Sequence, residues 1–85
     1  MTTKDCLDLI LEPMAKTFTV DFACKLVELR APRELQQRVD ELADKANEGT
    51  LTPAEQAEYK AFIDSSTILG VVQAKARRFL AQHAA

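Results

Sequence analysis

Residues 44–55 read DKANEGTLTPAE, and counted from Asp44 they run close to a calcium loop. Such a loop takes oxygen ligands at positions 1, 3, 5, 7, 9 and 12, with glycine at position 6 for the sharp turn. Here Asp44 stands first, Glu48 fifth, Gly49 sixth, Thr52 ninth and Glu55 twelfth. Asp44, Glu48, Thr52 and Glu55 would form a hard-oxygen site, and the chain would then be a calcium-binding regulator. The third position is Ala46, which has no ligand atom, and no second loop is present to pair with the first. A hard cation that loses a carboxylate from its oxygen shell loses much of its affinity.

The same letters also describe a turn between two helices. Gly49 can take the positive φ that follows a helix end. Thr52-Pro53-Ala54-Glu55 is a capping box with proline at the first helical position. Ala46 then continues a seam of Leu35, Val39 and Leu42 at three- and four-residue steps. The helical hairpin explains more of the residues than the cation does, so no metal and no cofactor are expected.

Four helices must position this turn. The first starts at Thr2 or Thr3, with Leu7, Ile10, Leu11 and Met14 as its stripe. Pro13 should kink or break it after Glu12. The second starts at the N-cap Thr19, with Asp21 in its first turn and Phe22, Leu26 and Leu29 as its stripe, widened by Val27. The third runs from about Pro32, and the fourth from Thr52 to about Gln82. Wound at helical steps, the fourth helix carries two apolar faces in series. Tyr59, Phe62, Ile63 and Ser66 form the first. Ile68, Leu69, Val72, Ala76, Phe79 and Leu80 form the second.

The expected fold is all-α with four helices in a single domain over residues 1–85. An antiparallel hairpin of about 32–48 and 53–82 carries two N-terminal helices on the second half of its long helix. Gly70 should admit a neighbouring backbone. Lys75, Arg77 and Arg78 should point away from the apolar face into solvent.

Composition excludes several functions. The 85 residues suit one small core with a thin stability margin, which keeps a homodimer in view. No apolar run is long enough for a bilayer. Asp5, Asp8 and Glu12 interrupt the N-terminal segment where a signal peptide would be apolar, so the default location is cytoplasmic. Cys6 and Cys24 are then expected as reduced, buried thiols rather than metal ligands or a disulfide. All 13 acidic residues lie in 1–66 against 8 basic ones, whereas 67–85 holds Lys75, Arg77 and Arg78 and no acid. Those three could serve a nucleic-acid accessory protein, but the acidic remainder argues against a phosphate-binding face.

Catalysis finds no constellation. His83 is the single histidine and lies at the chain's end. Asp64, Ser65 and Ser66 fit a polar patch where a helix changes faces, with Ser66 bonding back one turn. There is no Gly-rich phosphate loop and no paired-histidine motif. The chain is expected not to be an enzyme.

The segment VDELADKANEGTLTPAEQAEYKAFIDSSTILGVVQAKARRFL, with LDLILEPMAKTFTVDFACKLVELRAP before it, covers most of the chain. It resembles a family of short, uncharacterised bacterial proteins with the pattern LADKANEG-LTPEE-AEY…LQAKAR. The most specific pieces are residues 42–49, 51–59 and 73–77. Gly70 and Val71 depart from the bulkier residues common there. The resemblance implies a small all-helical protein whose relatives are often encoded beside an HNH-type nuclease. That neighbourhood implies an antitoxin or immunity role, with a protein partner and no membrane. The partner-facing residues it implies are Asn47, Glu48, Glu55, Glu58, Gln73, Lys75 and Arg77.

Overall fold

A computed structural model describes residues 1–83. Four helices follow one another: α1 (Thr3–Ala15), α2 (Val20–Glu28), α3 (Arg33–Glu48) and α4 (Pro53–His83). No strand occurs among the described residues. The chain divides into two compact units, one of residues 1–29 with 67–85 and one of residues 30–66, and α4 contributes to both.

Local chemistry sets each boundary. Thr2 caps α1, its hydroxyl accepting from the Asp5 N–H while the Asp5 carboxylate accepts from the Thr2 N–H. Thr19 caps α2 by accepting from the Phe22 N–H. Pro32 precedes α3 as its cap rather than serving as its first residue, because its ψ of 151° is extended. Gly49 ends α3 at φ 72°, as its place past the helix end predicted. Thr52 and Glu55 close the expected capping box on α4.

Pro13 does not break α1, which continues to Ala15. A proline one turn from a helix end removes only one intrahelical hydrogen bond. The carbonyl that loses its donor belongs to Leu9, an exposed residue that water can reach.

In the unit of residues 1–29 and 67–85, α1 and α2 pack against α4. The core is Phe18, Ala23 and Ala76, flanked by Met14, Leu26, Val27, Phe79 and Leu80. Phe18 stands edge-on to both Phe22 and Phe79, with ring centroids 5.7 and 5.8 Å apart. Gln73 holds α2 in place: its Nε2 donates to the carbonyls of Leu26, Val27 and Leu29 at the open end of that helix. The C-terminal carbonyls of a helix lack intrahelical donors, so a side-chain amide from α4 satisfies them here.

In the unit of residues 30–66, α3 and the start of α4 form an antiparallel hairpin. Lys45 meets Glu55 near the turn and Arg38 meets Glu58 further from it. Val39 and Leu42 are buried, and Tyr59 and Phe62 are half-buried.

Several sequence expectations need correction. Ile10 is 71 % exposed and Ile68 48 % exposed, so neither joins the core. Ala46 is exposed too, because the seam of α3 ends at Leu42. Both cysteines are exposed rather than buried. No backbone approaches Gly70, where an added Cβ would meet nothing within 4 Å. The back-bonding serine is Ser65, which donates to the Ala61 carbonyl at 2.8 Å.

Candidate functional site

The 44–55 turn is assembled as a cap. The Glu55 Oε2 accepts from the Lys45 ammonium at 2.6 Å, and its Oε1 accepts from the Thr52 N–H at 3.0 Å. These bonds, the Lys45 one first, lower the carboxyl's pKa from 4.5 to about 2. The twelfth-position ligand of a calcium loop therefore already has two partners. Ala46 supplies no oxygen, and Asp44 and Glu48 lie exposed on α3. Among the described residues, no group of three or more His, Cys, Asp and Glu side chains is placed to hold a metal ion.

An ionic lattice extends from this turn. Arg38 donates through Nε and Nη2 to both oxygens of Glu58 at 2.8 and 3.0 Å, and through Nη1 to Glu41 at 3.0 Å. Two parallel bonds between a guanidinium and a carboxylate form the strong, planar version of an ion pair. The Arg38 bond holds the Glu58 carboxyl below its usual range, and Glu58 followed by Glu41 raises the pKa of Arg38. Glu55 and Glu58, two of the partner residues implied by resemblance, thus hold the hairpin together.

Gln73 and Lys75 face inward as well. Gln73 is occupied by the three carbonyls at the end of α2. Lys75 is not exposed, as its place on the helix had suggested, but only 2 % accessible. It lies roughly 40° round α4 from Phe79, and α4 carries two helices, so its buried arc is wider than its apolar stripe. The Lys75 Nζ lies 2.6 Å from Glu12 Oε2 and 3.0 Å from Asp8 Oδ1, both on α1. Burial works against the Lys75 charge, but its bonds to Glu12 and Asp8 outweigh that and raise its pKa. Sequence reasoning missed this triad, although Asp8 and Glu12 stand one helical turn apart on the side of α1 that holds Leu11.

Asn47, Glu48 and Arg77 are exposed, as a partner-facing role requires. The basic set of α4 retains only Arg77 and Arg78 in solvent once Lys75 is withdrawn.

Two surfaces emerge from the structure instead. On α1, Cys6, Leu9, Ile10 and Pro13 are all exposed and follow the i, i+3, i+4, i+7 spacing of one helix face. Leu9 is 61 % and Ile10 71 % accessible, and no charged residue belongs to this stripe. On α3, Glu34, Gln37, Glu41, Asp44 and Glu48 line one exposed face. Comparison with protein-family models, curated protein sequences and solved structures finds no match for this chain.

Proposed function

We propose that this protein is a non-enzymatic interaction module that docks a protein partner through the solvent face of α1. One observation carries this reading: a helix whose inner face already packs on α4 also presents an uncharged apolar stripe to water. Single exposed apolar residues are ordinary, but a contiguous stripe is the usual mark of an association surface.

The carboxylate face of α3 favours a basic partner, since complementary potentials speed encounter and select partners. The unit of residues 30–66 has eight acidic side chains against five basic ones. This suits an antitoxin- or immunity-type inhibitor, with the HNH-type nuclease suggested by the family resemblance as the partner.

The test is a capture from the protein's own cell lysate with tagged wild type, Ile10→Glu and the double variant Glu41→Lys/Glu48→Lys. A calcium chelator is included in one arm. Wild type should retain one stoichiometric partner with or without chelator, and Ile10→Glu should lose it while keeping its helical circular dichroism. Equal capture by wild type and Ile10→Glu would remove α1 as the docking face. Loss confined to the double variant would move docking to α3.

A further inference from the structure

The unit of residues 1–29 and 67–85 contains a cleft of about 360 Å³ between the last turns of α1 and α4. Small-molecule sites typically occupy roughly 300–1,000 Å³. One wall is the Phe79 ring, on which the His83 imidazole stacks with centroids 4.0 Å apart and planes 17° from parallel. Lys16 and Arg78, both exposed, also line the cleft.

Glu12 also lines the cleft and would repel an anion, but the Lys75 ammonium lies 2.6 Å from its Oε2. Lys16 and Arg78 form no ion pair among the described residues. Basic residues near a helix C-terminus ordinarily serve its open carbonyls and dipole. At the end of α1, three of those carbonyls have other donors. The Lys16 and Thr17 N–H groups serve Pro13 and Met14, and the Phe18 N–H serves Ala15. The Thr17 hydroxyl adds a bond to Met14 at 2.7 Å. On α4, His83 Nδ1 lies 2.8 Å from the Phe79 carbonyl. A carbonyl only accepts, so Nδ1 carries the hydrogen.

We propose that this cleft binds a small aromatic oxyanion, with the carboxylate or phosphate on Arg78 and Lys16 and the flat group against the Phe79–His83 stack. Arg78 offers the planar fork that suits either oxyanion. The proposal is independent of the α1 docking face, since neither Leu9 nor Ile10 lines the cleft.

The test is an amide-resolved NMR titration of the full chain at fixed ionic strength with benzoate, adenosine monophosphate and inorganic phosphate. Benzoate or the nucleotide should give saturable shifts centred on Lys16, Phe79 and His83. Whichever binds more tightly assigns the carboxylate or the phosphate. Arg78→Gln should weaken binding by about tenfold or more, as expected for a lost bond to a charged group. Lys25→Gln, a charge loss elsewhere on the same unit, should leave it unchanged. Non-saturating shifts with both aromatic ligands would overturn the proposal. Equal weakening by Lys25→Gln would do the same. Inorganic phosphate binding as tightly as the nucleotide would remove the aromatic wall from it.

Discussion

The two units are held together by different means. The unit of residues 1–29 and 67–85 closes on a buried cluster of Phe18, Ala23 and Ala76, with Gln73 and Lys75 reaching inward to finish helix ends and carboxylates. The unit of residues 30–66 buries only Val39 and Leu42 and relies on a capping box with an exposed ionic lattice. Apolar burial is not weakened by ionic screening and depends little on pH, while exposed ion pairs respond to both. The same chain therefore offers one unit governed by packing and another governed largely by charge and backbone geometry.

Truncating the buried side chains should have the largest effect. Phe18→Ala removes a ring that is 6 % exposed and touches two others, and should cost about 3–5 kcal/mol in urea denaturation. Leu42→Ala, at 1 % exposure, should cost about 2–5 kcal/mol. Residue-resolved hydrogen exchange sharpens the contrast. Phe18→Ala should first loosen amides of α2 and the end of α4, and Leu42→Ala those of α3. Uniform loosening in both variants would mean the units do not differ in the way their cores suggest.

Gly49→Ala comes next. The glycine sits at φ 72° with open space around its Cα, so the cost is backbone strain alone. A left-handed non-glycine residue should lose about 1–2 kcal/mol. A loss below a few tenths, measured by thermal unfolding, would show that the hairpin turn relaxes. Lys75→Met should change stability by no more than about 1 kcal/mol, because a well-packed apolar replacement of a buried ion group is often neutral. Asp8 and Glu12 keep 41 % and 54 % of their side-chain surface and can hydrate when left alone. A loss of several kcal/mol would make the triad a principal support of its unit.

The helices were legible because their ends carry strong local chemistry. Thr19, Gly49, Thr52 and Glu55 each announce a boundary through a single hydrogen bond or dihedral, and the all-α fold follows from them. Which face of a helix is buried was less legible. Helical periodicity put Ile10 inside and Lys75 outside, and both assignments reversed. A stripe shows where apolar residues cluster, but the width of the buried arc depends on how many helices pack there. Phe18, between two helices, belonged to no periodic pattern and went unread. The residues implied by resemblance divide by the same logic: Gln73 and Lys75 turn inward, Glu55 and the exposed Glu58 join the lattice, and Asn47, Glu48 and Arg77 stay exposed outside it.

The smallest expected effect separates the units along the pH axis. Glu55 and Glu58 have folded pKa values below their unfolded value of 4.5, so their stabilisation is present above pH 4.5. It is lost as pH falls from 4.5 toward about 2, where Glu55 titrates in the folded chain. Lys75 is shifted the other way, above 10.5, so its contribution is present below that pH and lost as pH rises through the folded value. Acid should therefore weaken the hairpin of residues 30–66, and alkali the contact of α4 with α1. Asp5, lowered by its bonds to Thr2, places one acid-sensitive group in α1 as well. Chemical-shift titration of the Val39 and Ala76 amides reads the two ends separately. Movement of Ala76 before Val39 on the acid side would reverse the assignment, and added salt should blunt the Val39 response because its lattice is exposed.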